Sequence, residues 1–286
     1  MNTPAVPKHD TRPVASASSV NSAQSRRSPR MEPLRWVPEN TEALLDVGCN
    51  VGEFLAQCRR ERPNLRLAGI DINHSAVAKA QIRLPGVEIH QGFGYEVPFA
   101  DSSFDCVTCI EVIEHVPAAQ RPMLVAEIRR VLRPGGVLIL RCPHAGIFSW
   151  LDAQNFRFRA PGLYGKLVGR GNRDAHYQKA DEELVWHHHF TRDELLGVAG
   201  DGWQVEACEF GGLLLYPISD ILRWPFYRMK RPDHWIARGL EKISALEYAV
   251  SFGKSSYGIL AVLRKSTTDE RQPHPTPAST PSALTR

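Results

Sequence analysis

Three groups of residues in this 286-residue chain have types and spacings that carry chemistry. In Glu111-Val-Ile-Glu-His115 two carboxylates stand three apart, with an imidazole beside the second. At a helical start Glu111, Glu114 and His115 would share one face and converge on one point. Such a set can take a proton from a hydroxyl. Its oxygens and single imidazole would also accept a divalent cation, although the same residues serve equally as hydrogen-bonding groups with no resident metal. The run His187-His188-His189 occupies a comparable place later in the chain and offers a general base or a fourth ligand. The last group is a turn: Leu44-Leu-Asp-Val47 reads as a buried strand, Gly48 lets the backbone turn closely, and Gly52 opens a helix whose free N–H groups face a crevice.

About twenty residues beyond that turn, Leu67-Ala-Gly-Ile-Asp71 reads as a second buried strand ending in a carboxylate able to accept both hydroxyl hydrogens of a ribose. Together the turn and Asp71 form a nucleotide-type cofactor site. The spacing Gly-x-Asn-x-Gly is not the G-x-G-x-x-G of a dinucleotide turn, which disfavours a nicotinamide-dependent oxidoreductase. It resembles the first motif, D-x-G-x-G-x-G, of the class I S-adenosylmethionine (SAM) dependent methyltransferases. Asp46, Gly48 and Gly52 are in register, and Asn50 replaces the middle glycine. Asn is the common non-glycine choice at positive φ. Arg133-Pro-Gly-Gly136 before an apolar strand is a second signature of that family, and the likeness runs from about 40 to 145.

The resemblance implies SAM as cofactor, bound by Asp46, Gly48, Asn50, Gly52, Asp71, Ile72, Phe93, Gly94 and Ile110. Family members usually carry an Asp where this chain has Phe93, so stacking or backbone contacts from Phe93 and Gly94 stand in for adenine recognition. Glu111 to His115 resembles the E-x-x-E-H element of magnesium-assisted O-methyltransferases that act on small-RNA 3′ ends and on ubiquinone precursors. The candidate catalytic residues are therefore Glu111, Glu114, His115, His187 and His189. The expected activity is methyl transfer to a small or lipid-linked acceptor, at oxygen. A SAM-binding scaffold without turnover and an RNA 2′-O-methyltransferase are the alternatives.

These residues need a frame. Strand and helix signals alternate from 44 to 142, which predicts right-handed βαβ units with helices at 52–60, 75–84 and 121–132. The expected fold is α/β, a doubly wound, seven-stranded, mostly parallel sheet of Rossmann-like type, with its last strand antiparallel as the family resemblance implies. Thr191-Arg-Asp-Glu194 reads as a capping box opening a helix. The domain spans 34–265, with a cap insertion at 146–186 rich in rings and basic residues (Phe148, Trp150, Phe156, Phe158, Tyr164, Tyr177) and a second insertion at 211–255. Residues 1–33 and 266–286, rich in Ser, Pro, Ala and Thr, are expected to be disordered tails.

Six cysteines are present, and Cys106 and Cys109, though spaced C-x-x-C, fall in one expected strand and read as core thiols. A formal net charge of +4 without a Lys/Arg run argues against nucleic acid as partner. No secretory signal and no run of 18 apolar residues is present, so the expected location is cytoplasmic, with peripheral contact at the inner face of a membrane through 213–231, where Trp224, Phe226 and Tyr227 precede Arg228, Lys230 and Arg231.

Overall fold

The computed structural model describes residues 31–160, 162, 187–229, 231 and 234–267. The expected tails up to 30 and from 268, together with Tyr164, Tyr177, Trp186 and Lys230, lie outside the described residues, as do the side chains of Phe156, Tyr227 and Arg228.

Five strands and three helices build the first half: β1 (Ala43–Val47), α1 (Glu53–Glu61), β2 (Arg66–Asp71), α2 (His74–Arg83), β3 (Glu88–Gln91), β4 (Phe104–Ile110), α3 (Arg121–Val131) and β5 (Leu132–Pro143). Each helix buries one face, as with Leu55 and Cys58 on α1 or Leu124, Val125 and Ile128 on α3, while the central strands are buried on both faces. The short α4 (Phe156–Arg159) follows, then α5 (Arg192–Ala199), β6 (Trp203–Gly211), α6 (Leu215–Arg228), α7 (Trp235–Tyr248) and β7 (Gly258–Lys265). The seven strands lie in the order β3-β2-β1-β4-β5-β7-β6, with β7 antiparallel to both neighbours and the β1–β5 pairs parallel. This is the doubly wound, mostly parallel sheet expected from the alternation.

Two apolar layers cover the sheet. Consecutive residues of a strand face opposite layers, so Leu44 joins one core and Leu45 the other. The same parity separates Cys106 from Cys109: three apart on a strand, they point to opposite faces, and each is a buried free thiol. The C-x-x-C spacing is thus a core pattern. Met31, Leu34 and Val37 are buried in the layer beside α1, which brings the packed domain back to Met31, ahead of the boundary expected at 34. The capping box forms as read, with Thr191 Oγ1 accepting the Glu194 N–H and the Glu194 carboxylate accepting the Thr191 N–H.

The insertion at 211–255 folds as the α6–α7 pair. The Glu247 carboxylate of α7 accepts the backbone N–H groups of Leu213, Leu214 and Leu215 at 3.2, 3.1 and 2.6 Å, and so caps the start of α6. Arg223 and Glu241 join the two helices again at 3.3 Å. Among the described residues no helix is long and apolar enough to cross a membrane.

Candidate active site

In an open α/β sheet the ligand crevice lies beyond the carboxyl ends of the strands, where the strand order reverses. Here that point is between β1 and β4, and the glycine turn, Asp71 and the Glu111–His115 element all sit at this end. Gly48, Asn50 and Gly52 have φ of 77°, 46° and 75°, left-handed values that explain both glycines and the tolerance for Asn. Space matters as well: a Cβ on Gly48 would overlap Val112, and one on Gly94 would come within 2.7 Å of Leu124 and 2.8 Å of Val47.

Asp71 ends β2 and braces this turn. One carboxylate oxygen accepts the Asn50 N–H at 2.8 Å and the other the Asn73 N–H at 2.8 Å, which leaves each with a further lone pair. Asp46 is buried, and its register partner Thr108 donates a hydroxyl to it at 2.7 Å. Burial raises the Asp46 pKa to about 7, against the lowering effect of that hydrogen bond. Ile72 and Phe93 keep 37% and 38% exposure just past β2 and β3, and Phe93 stacks on Tyr95 at 4.9 Å. Ile110 closes β4, and with Arg141 it lines an open cleft of about 710 Å³ that runs along α1.

The acidic element departs from its expected geometry. Glu111 is left-handed at φ 55°, so no helix begins there; a single 3-10 turn, Ile113–His115, follows instead. Glu111 therefore diverges from Glu114 and pairs with Arg141 at 3.0 Å. The expected convergence of Glu111, Glu114 and His115 is replaced by Glu114, His115 and His187, whose ligand atoms lie within 4.8 Å of one another. The His115 and His187 rings are 4.8 Å apart.

Only part of the triple histidine joins the site. His188 bonds to Glu194 at 2.6 Å, away from the cluster, whereas His187 and His189 both turn to Asp152. His187 Nδ1 bonds the Asp152 carboxylate, His187 Nε2 lies 3.7 Å from Glu114, and His189 Nε2 is 2.8 Å from the same Asp152 oxygen. Asn155 fixes the His187 backbone in both directions, donating to its carbonyl at 2.7 Å and accepting its N–H at 2.9 Å. Asp152 and Asn155 were not among the residues expected from sequence, because no spacing ties position 152 to 187. Their only signal was their place in the ring-rich insertion.

Burial opposes protonation of His187, but the hydrogen bond to Asp152 and the nearby Asp152 and Glu114 charges outweigh it and raise its pKa to about 10. His187 is accordingly an imidazolium at neutral pH. Asp152 is held well below the usual carboxylate range, since its two histidine bonds outweigh its burial. Glu114 is fully buried with neither carboxylate oxygen hydrogen-bonded, and burial raises its pKa to about 7 despite the nearby His187.

A family profile described as a methyltransferase domain matches residues 45–140. A Mycolicibacterium smegmatis protein described as an S-adenosylmethionine-dependent methyltransferase is 36% identical over 109 residues, which are 37% of this chain and 40% of that protein. The demethylmenaquinone methyltransferase of Staphylococcus aureus strain Newman is 31% identical over 159 residues, 52% of this chain and 60% of the relative. The chain thus spans less than two thirds of the length of these curated relatives. A solved structure described as a sarcosine dimethylglycine methyltransferase from Galdieria sulphuraria shares the fold, with a TM-score of 0.52 at 15% identity over 79% of each chain.

Proposed function

Because residues 45–140 belong to the class I SAM-dependent methyltransferases, we propose that this protein transfers the methyl group of SAM to an oxygen of a small, amphiphilic acceptor. When bound, SAM supplies a methyl group already activated on a sulfonium. The residues present fit that cofactor: the left-handed turn at Gly48, Asn50 and Gly52 lies at the crevice end of β1, and Asp71 has lone pairs to spare for two hydroxyls. Ile72 and Phe93 offer apolar surfaces to a purine ring.

The reading of oxygen as acceptor rests on Glu114. A hydroxyl must lose a proton as it attacks, and a carboxylate whose pKa burial has raised to about 7 accepts one near neutral pH. Glu114 Oε1 lies 3.8 Å from His115 Nε2, beyond hydrogen-bond reach, and His115 is the partly exposed member of the pair, so in this reading His115 would have to close on Glu114 to hand it the proton. His187, already protonated, holds the carboxylate electrostatically and is not the base. The name of the Staphylococcus aureus relative supports a lipid-like acceptor class.

Incubating the full chain with methyl-labelled SAM and a cell extract, followed by mass spectrometry, tests the reading. Tight binding of S-adenosylhomocysteine and a labelled O-methyl product are expected. Cofactor binding with no labelled product would identify a scaffold, and binding of NADH in place of SAM would overturn the reading altogether.

A metal-assisted version is favoured by the two unpartnered Glu114 oxygens beside two imidazoles. With His187 giving up its Nε2 proton to the incoming ion, two nitrogens and one carboxylate suit manganese or zinc better than magnesium, which prefers oxygen. In that version activity falls in chelator and returns with added ion, and Glu114→Ala abolishes both responses. Full activity in excess chelator removes the metal and leaves His115 and Glu114 as the proton path.

A further inference from the structure

We propose that the outward face of the α6–α7 pair is a docking surface for an anionic lipid bilayer. α7 turns its small residues Ala237 and Ser244 toward the protein. Its large apolar side chains point the other way: Trp235, Ile236, Ile243 and Leu246 are 76%, 38%, 53% and 73% exposed. At helical spacing these four fall within one stripe about 100° wide, the width with which a surface helix ordinarily faces its own core. Val250, just past the helix, extends the stripe. The pattern is inverted, so its burial requires something outside the described fold.

α6 also exposes Ile221, Leu222 and Met229, and Trp150 is exposed on the 3-10 turn Ser149–Leu151 that contacts it. The Glu247 cap and the Arg223–Glu241 pair hold the two helices in fixed relation, so the apolar area is presented as one unit.

Charge selects the occupant. Arg231, Arg238, Lys242 and Lys254 are exposed on and around these helices. Of the acids on α7, Glu241 pairs with Arg223 and Glu247 caps α6. An apolar stripe bordered by basic side chains is the arrangement of a helix lying in the plane of an anionic interface, with Lys and Arg reaching the headgroups. A second copy of this chain would instead bring a like set of cations against the first. The opposite side of α6 faces the cluster: the Tyr216 ring lies 5.4 Å from that of Tyr257, which lies 5.3 Å from that of His189. One helix therefore borders both the bilayer and the site, and an amphiphilic acceptor reaches the site with its tail still in lipid.

Co-sedimentation of the full chain with phosphatidylcholine vesicles, with and without phosphatidylglycerol, at low and high salt, tests the surface. The chain is expected to partition onto the anionic vesicles and to be released by salt. The double variant Ile243→Asp, Leu246→Asp should lower the partition coefficient by at least about tenfold, and Lys242→Glu should lower it by a smaller factor. Calorimetry of S-adenosylhomocysteine on the same preparations reports an intact fold and keeps the surface separate from the methyl-transfer reading: vesicle binding without cofactor binding would sink only the latter. Equal partition onto neutral and anionic vesicles, or no loss in either variant, overturns the proposal. So does sedimentation velocity showing a dimer that the double variant disperses, since the occupant would then be a second copy.

Discussion

The Asp71 carboxylate braces the glycine turn, and in the proposed reading the same atoms also take the ribose hydroxyls. Each oxygen already accepts a backbone N–H, from Asn50 or Asn73, so the side chain holds the left-handed turn in place before any ligand arrives. Replacing it should cost the hydroxyl contacts and loosen the turn together. Asp71→Ala is expected to weaken SAM binding by about 1–3 kcal/mol; unchanged affinity by calorimetry in a folded variant would remove Asp71 from the site. This residue was legible in the sequence because its signal is local, a carboxylate at the end of an apolar strand that follows a glycine turn. Gly48, Asn50 and Gly52 were legible for the same reason: positive φ restricts residue type at the position itself. Glu111 was misread because one left-handed residue, indistinguishable in sequence from a helical one, sent its side chain to Arg141.

Between elements, the segment 187–190 is held against the end of β5 and the 3-10 turn 113–115 by ionic bonds. The His144–Phe190 bridge and the Asn155 clamp fix its backbone, and the His187 imidazolium lies between Asp152 and Glu114. The folded pKa of His187 is raised, so its contribution to stability is complete below its ordinary value of 6.5 and is lost as pH rises through about 10. Glu114 is also raised, and by the same sign its protonated form favours the fold, with that advantage lost as pH climbs from 4.5 through about 7. Asp152 is lowered, so its contribution is present above 3.8 and disappears only as pH falls through its depressed value. The unfolding temperature should therefore decline between pH 7 and pH 10, and Asp152→Asn, which removes the main partner of His187, should flatten that decline. Parallel slopes for the two proteins would show that His187 is not held as an imidazolium. Nothing in the sequence announced this arrangement, since Asp152 and His187 meet only after the insertion folds back.

For the molecule as a whole, the architecture was readable because the central strands are short apolar runs and α1, α2 and α3 each bury one apolar face, so alternation dictated the layering. The α6–α7 pair was less so. The aromatic segment ending at Arg231 drew attention, but the more exposed stripe lies on α7, where the apolar residues have a spacing that normally signals core. Which way an amphipathic helix faces depends on its neighbours, not on its own periodicity. A different consequence follows from β7. Its insertion between β5 and β6 pairs Val137 with Arg264 and Leu140 with Ala261, contacts of very high sequence separation. During synthesis β5 emerges long before that partner, and the half-sheet β3-β2-β1-β4-β5 must wait with an apolar, unpaired edge at β5. Closure of the sheet by the last strand is then a late, high-contact-order event, and the interval before it is when the nascent chain is most prone to pair with another copy of itself.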